Sequence, residues 1–252
     1  MAETVTAAVL IIGNEILSGR TKDANLPYLA EGLNEIGIQV REARVVADVE
    51  AEIVEALNTV RARYDYVFTT GGIGPTHDDI TADCVAKAFG VGIGYHPDAY
   101  ALLERHYETT GADFNEARKR MARTPDGAGL IDNPVSKAPG FRIGNVFVLA
   151  GVPMICQAMF QSLKSDLTGG APVQSIAIGV FLGEGVMAQG LGEIQQRFPG
   201  IDIGSYPFYR DKRYGTTIVS RGQDRDVLEQ AAEAVRALMR RLGGEPVEQP
   251  AG

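Results

Sequence analysis

Apolar residues run without interruption from Ala7 to Ile12 and stop at a glycine. An unbroken run of this length reads as a strand covered on both faces, the habit of a parallel sheet. The spacing then changes. Leu26, Leu29, Ala30, Leu33 and Ile36 recur at three and four residues, which predicts a helix over 26–36 that Gly37 ends. The same alternation follows twice more. A strand over 39–46 precedes a helix over 49–64 with Ile53, Ala56, Leu57 and Val60 on its apolar face. A short strand at 66–68 and a loop then precede a helix over 81–90, carried by Val85, Ala88 and Phe89. Three strand–helix repeats at this spacing predict an α/β domain whose mostly parallel sheet has helices on both faces.

Beyond Gly90 the pattern is less regular. Residues 92–128 read as helical and polar, with Pro97 placed for a helix start, and 130–139 as a loop. A hairpin is expected over 140–150 around Gly144-Asn145, then a helix over 154–167. The small, uncharged stretch 168–172 is the best linker. After it come a strand at 173–181, a helix at 185–198, strands at 202–206 and 214–220, and a helix at 224–242. The expected organisation is therefore a larger domain at 1–168, a small βαββα domain at 173–243 and a fraying tail at 244–252.

Composition narrows the functional classes. Thirty-two acidic against 24 basic side chains give a net charge of −8, which opposes attraction to nucleic acid or to anionic membranes. No apolar run approaches the roughly 20 residues that span a bilayer. The first residues lack the basic segment of a secretory signal, so a cytoplasmic location is expected. Cys84 and Cys156 fall on apolar helix faces without metal-ligand spacing and read as buried free thiols. A small molecule is the expected partner.

The candidate chemistry lies where the strands end. Residues 69–81 read TTGGIGPTHDDIT, a glycine loop between a strand and a helix. Gly71, Gly72 and Gly74 let backbone N–H groups approach a phosphate, and the following helix directs its positive end to the same place. Asp78 and Asp79 would repel a bare phosphate, so a divalent cation between them and the phosphate reconciles the two. Gly13, Asn14, Glu15 and Asp48 also follow strands, and loops after parallel strands share one edge of the sheet. Asp48 has a simpler reading as the cap of the next helix. The basic run Arg118, Lys119, Arg120 and Arg123 reads as a solvated helix face or as a phosphate trap. His77 reads as a donor to a ligand oxygen or as an exposed turn residue.

These blocks resemble a known family. TGGIGPTHDDIT is similar to the signature loop of the MoaB/Mog molybdopterin-binding fold, in the version found in CinA-type competence/damage-inducible proteins and in the N-terminal part of some FAD synthases. GNEILSGRTKDAN at 13–25, VVAD at 45–48, NPVSKAPGF at 133–141 and AGVP at 150–153 agree in order. The resemblance implies a three-layer α/β/α domain in which Gly71, Gly72, Gly74, Pro75 and Thr76 hold a terminal phosphate. It implies roles for Asp79 and Asp48 with metal and phosphate. Gly13, Asn14, Asn25, Thr70, Lys137 and Gly151 complete the ligand-binding set that it implies. Catalytic roles would fall to Asp48, Asp79 and Glu15, and metal binding to Asp78 and Asp79. Ser136-Lys137 and Ala150 depart from the usual Gly-Thr and Pro, so that wall of the pocket differs. The family implies a dimer or trimer. It does not carry over the nicotinamide-mononucleotide deamidase or nucleotidyl-transfer activities, which belong to further domains.

Three functions follow as expectations. One is hydrolysis of a pyrophosphate linkage, as in ADP-ribose or FAD, with Mg²⁺, Mn²⁺ or Co²⁺. The second is molybdopterin binding or adenylylation, and the third is ligand binding without turnover in a regulatory module. The THDD form of the loop resembles CinA proteins and favours the first.

Overall fold

A computed structural model describes residues 4–250, which divide into a unit ending at Gly170 and a unit beginning at Ala171. The boundary falls inside the expected linker.

The first unit is built on β1 (Val5–Ile12), whose residues 7–12 are all buried. Side chains alternate across a strand, so Ala8, Leu10 and Ile12 enter one core while Ala7, Val9 and Ile11 enter another. A four-residue turn of helix, α1 (Asn14–Leu17), follows, then α2 (Asn25–Glu35), β2 (Ile38–Val46), α3 (Glu50–Arg61), β3 (Tyr66–Thr70) and α4 (Thr81–Phe89). Ile53, Leu57 and Val60 of α3 and Cys84 and Val85 of α4 cover one face of the sheet. The other face is covered by Leu29 and Leu33 of α2 and by the helix over Pro153–Leu163, through Met159 and Phe160. Each layer is amphipathic, and each buries its stripe on the sheet.

The segment after α4 is not one polar helical stretch. It forms β4 (Ile93–Tyr95), α5 (Pro97–Thr110), α6 (Glu116–Lys119) and β5 (Arg123–Pro125), with β4 and β5 paired antiparallel. Gly111 at φ +69 ends α5, and Ala99, Leu103 and Ala122 gather Tyr107 and Phe114 into a separate small core. Nonlocal packing divided what local polarity joined. The expected loop at 130–139 is corrected at its start, where Leu130 and Ile131 belong to β6 (Gly129–Ile131), which extends the sheet, and the expected hairpin forms as β7 (Gly140–Ile143) and β8 (Val146–Leu149). The helix over Pro153–Leu163 is α7.

The sheet order is β2-β1-β3-β8-β7-β6, with the first four strands parallel and the last two antiparallel to their neighbours. From β1 the chain goes outward to β2 and then crosses back to β3 on the other side. The carboxyl ends of β1 and β3 therefore flank a switch point, where a crevice opens in sheets of this kind.

The second unit contains β9 (Gln174–Val180), α8 (Glu184–Arg197), β10 (Asp202–Arg210), β11 (Arg213–Gly222), α9 (Arg225–Arg241) and β12 (Val247–Gln249). Asp211 and Lys212 both have positive φ, as a two-residue hairpin turn requires, and the two strands that they join run longer than the sequence suggests. Asp224 caps α9 through the N–H groups of Asp226 and Val227. The stripe Leu228, Ala231, Val235 and Leu238 packs on Ile176, Ile178 and Ile218. The expected fraying tail requires correction: residues 247–249 pair with β9, whose second edge would otherwise present unpaired backbone groups. No helix among the described residues is long and apolar enough to cross a membrane.

Candidate functional site

At the carboxyl edge of the parallel strands, the loops after β2, β1, β3 and β8 stand in that order, fixed by the sheet. Neighbouring loops are also joined directly. The Gly13 N–H donates to the Val46 carbonyl at 3.1 Å, and the Gly71 N–H donates to the Leu149 carbonyl at 3.2 Å.

Gly71 and Gly72 have φ of +103° and +68°. A Cβ on Gly71 would lie 2.2 Å from the Ile12 carbonyl oxygen, and one on Gly72 would lie 2.2 Å from Thr81 Oγ1. Both positions exclude side chains through backbone conformation and through space. Thr81, the first residue of α4, fixes the loop from behind: its hydroxyl donates to the Gly71 carbonyl at 3.0 Å and its N–H to the Gly72 carbonyl at 3.0 Å. Ile73 packs against both cores of the unit and plugs the end of the sheet between them. The loop is thus a fixed backbone surface at the switch point.

Asp79 belongs to that surface. Its Oδ2 accepts from the Thr76 N–H at 2.8 Å and from the Thr76 hydroxyl, and its carboxylate lies against Gly74, where a Cβ would come within 2.7 Å of Oδ2. Thr76 therefore directs its amide and hydroxyl at Asp79 within the loop. Thr76 also acts on Asp78, whose carboxyl it holds below the ordinary range, ahead of the contribution from Asp78's own backbone. Asp78 and His77 project outward, with side chains 63% and 99% exposed. The two acids thus differ, one built into the loop and the other at its exposed rim.

On the β1 side, Asp48 does not cap α3, whose cap position is Val49 with no side-chain bond. Its Oδ2 accepts instead from the Asn14 N–H at 2.8 Å, so the acid after β2 fixes the start of α1 after β1. The Glu15 carboxylate folds back over Gly13, where a Cβ would meet its Oε1 at 2.5 Å. Asp23, one residue before the α2 cap position Ala24, accepts from the Leu26 N–H at 2.9 Å.

Asn25 opens α2 and is 5% exposed. Its Nδ2 donates to the Gly151 carbonyl at 2.8 Å, while its Oδ1 is buried without a partner. Thr70, the last residue of β3, is 1% exposed, and its hydroxyl is also unpartnered. Thr69 Oγ1, one residue back in β3, is likewise buried and unpartnered; buried polar groups in folded proteins nearly always find partners, so ordered water or a ligand is the expected partner here. Gly151 lies beside the glycine loop, since a Cβ there would stand 3.2 Å from Gly71 Cα. Lys137 lies in the 132–139 connection at the same edge with φ +66°, and its N–H donates to the Asn133 carbonyl within its own loop. The structure thus assembles Gly13, Asn14, Glu15, Asn25, Asp48, Thr70, Gly71, Gly72, Gly74, Pro75, Thr76, Asp79 and Gly151, with Asp78 and Lys137 at the periphery.

The basic run divides by residue. Arg118 donates to the Asp113 carbonyl and stacks over Tyr107, and Lys119 pairs with Glu116 at 2.6 Å. Arg123 forms a two-armed pair with Asp83 of α4, at 2.7 and 3.2 Å. Arg120 reaches the site itself, its Nη2 donating to the Asp79 carbonyl at 3.2 Å. Sequence reasoning left this arginine within an undivided cluster. Arg120 opens a short 3-10 turn over residues 120–122 and Arg123 opens β5, so no helical spacing in the sequence set this arginine apart.

A family model described as a probable molybdopterin binding domain matches residues 8–169. The chain belongs to that family. A second model, the FAD synthase middle domain, matches residues 172–244. The chain also resembles a protein of Aeropyrum pernix, 35% identical over 216 residues, which is 82% of this chain and 81% of that protein. A probable FAD synthase of Caenorhabditis elegans is 29% identical over 95% of this chain and 51% of its own length, so this chain spans about half of that relative. Among solved structures, the chain is similar to CinA of Thermoplasma acidophilum, described as of unknown function. The identity is 35%, the TM-score 0.60, and the match covers 65% of this chain and 99% of that one.

Proposed function

We propose that this edge binds the phosphate of a nucleotide- or pterin-type small molecule and that, with a divalent cation, it hydrolyses a pyrophosphate linkage of the kind found in ADP-ribose and FAD. The observation that carries the reading is the glycine loop: a rigid backbone surface without side chains at the switch point, with the first turn of α4 behind it. Such surfaces suit phosphate, because N–H groups approach its oxygens and the helix end is positive. The buried orphans Asn25 Oδ1 and Thr70 Oγ1 support the reading as unmet polar groups at the same edge.

The donor set fits a hard cation. No three acidic, His or Cys side chains gather into a metal cage among the described residues. Two neighbouring carboxylates remain, Asp78 and Asp79, and Mg²⁺ commonly takes one or two carboxylates with its other ligands from water and substrate phosphate. When bound, the cation neutralises charge on the phosphate oxygens. In the reaction itself, water attacks one phosphorus, the bridging P–O bond breaks, and the two phosphate-bearing products separate. Asp48, fixed by Asn14, and Glu15, folded over Gly13, are the carboxylates able to take the proton from that water. Backbone N–H groups of the glycine loop stabilise the charge that develops.

The test is turnover of ADP-ribose and FAD with added Mg²⁺, Mn²⁺ or Co²⁺. Asp79→Ala is expected to lower turnover at least about 100-fold, in the range seen when a charge-stabilising group is removed; turnover equal to that of the unaltered protein would sink the proposal. Molybdopterin binding is the second reading, favoured by the family match over residues 8–169. Pterin fluorescence that co-purifies with the protein, in the absence of pyrophosphate turnover, would move that reading ahead.

A further inference from the structure

On the α4 side of the glycine loop lies a cavity of about 20 Å³, lined by Gly72, Gly74, Asp79, Ala82, Asp83 and Arg120, among others. A space of this size accommodates one water-sized atom. Its polar lining is largely accounted for. Asp83 is engaged by both arms of Arg123, and Asp79 Oδ2 is engaged by Thr76. Arg120 is the exception: its Nη2 meets the Asp79 carbonyl, but its Nε is buried without an acceptor. Ala82 and Asp83 are the second and third residues of α4, where helix geometry leaves N–H groups without intrahelical partners. A one-oxygen space lined by Arg120, whose guanidinium has an unmet N–H, and by the first turn of a nine-residue helix suits an acceptor oxygen.

We propose that Arg120 is a ligand-binding residue, whose guanidinium takes an oxygen of the bound phosphate in this cavity while its other arm holds the Asp79 carbonyl. The inference rests on the reading of the edge as a phosphate site and adds to it a residue delivered from outside the sheet, by the segment between β4 and β5. Arg120 thereby couples the ligand to the backbone that carries Asp79. A planar guanidinium donating in two directions at once is not replaceable by an ammonium, so Lys should restore the charge without restoring the bridge.

The experiment measures binding of ADP-ribose with Mg²⁺ by calorimetry for the unaltered protein, Arg120→Gln, Arg120→Lys and Arg118→Gln, with thermal unfolding of each as the check on folding. Binding is expected to weaken at least about 10-fold in Arg120→Gln, as for loss of one charge-assisted hydrogen bond. It should recover only partly in Arg120→Lys and be unchanged in Arg118→Gln, whose side chain engages Asp113 and Tyr107. Should folded Arg120→Gln bind as tightly as the unaltered protein, the cavity holds only water and the inference falls, while the phosphate reading stands. Should the unaltered protein itself fail to bind, both fall together. An Arg120→Gln protein that does not fold is replaced in the comparison by Arg120→Lys, and equal binding by folded Lys variant and unaltered protein overturns the two-armed bridge.

Discussion

At the scale of single residues, the two cysteines show how burial sets chemistry. Cys84 and Cys156 sit in opposite cores, 1% and 0% exposed, and burial pushes both thiols up to about 12. A thiol in the unfolded chain ionises near ~8.5. Between those values the folded chain holds protons that the unfolded chain has released, so stability is complete below about pH 8.5 and declines as pH rises through the interval. The slope cannot exceed about 1.4 kcal/mol per pH unit for each thiol. Urea denaturation at pH 7.5 and pH 10 should show this decline, and replacing both thiols by Ala should flatten it. A slope unchanged by that replacement would show that other groups control alkaline stability. Asp48 and Asp79 teach a complementary lesson, because each acid is positioned by the backbone amide that it accepts from, Asn14 or Thr76.

At the scale of elements, the glycine loop is held by two different constraints that substitution separates. At Gly71 the backbone lies at φ +103° and a Cβ would strike the Ile12 carbonyl, whereas at Gly90 the backbone lies at φ +67° with open space around it. Gly90→Ala therefore carries only the conformational cost, about 1 kcal/mol. Gly71→Ala adds a clash with the neighbouring strand and should cost about 3 kcal/mol or more. Chemical denaturation of the two variants measures the difference, and equal losses would show that the loop yields instead of clashing. Elsewhere, strand pairing overrides local composition. The polar sequence of β12 would fray in isolation, and it forms because β9 presents a free edge.

At the scale of the whole molecule, each unit has its own cores: two on the faces of the six-stranded sheet, with a small one beside them, and one on the four-stranded sheet. Every residue of the candidate site lies in the first unit. Residues 1–170 expressed alone should fold cooperatively and bind ADP-ribose with Mg²⁺ with the affinity of the full chain. Loss of binding in a folded 1–170 fragment would assign the second unit a part in ligand capture. The acidic balance of the full chain belongs to this scale too, since a net charge of −8 opposes the approach of any further anion.

The sequence by itself determined what depends on local periodicity and on residue chemistry. The unbroken run at 7–12 required a strand buried on both faces. The three strand–helix repeats required a parallel sheet, and TTGGIGPTHDDIT required a backbone loop before a helix. Those signals lie within a few residues of one another, where spacing translates directly into structure. Tertiary structure decided the pairings between distant residues. Asp48 serves Asn14, 34 residues away, in place of its own helix, and Arg120 reaches the Asp79 carbonyl across 41 residues. Asn25 acquires its orphan oxygen only when α2 packs beside the end of β8. Such choices rest on which groups the folded chain brings within hydrogen-bond distance, and no spacing along the sequence encodes that distance.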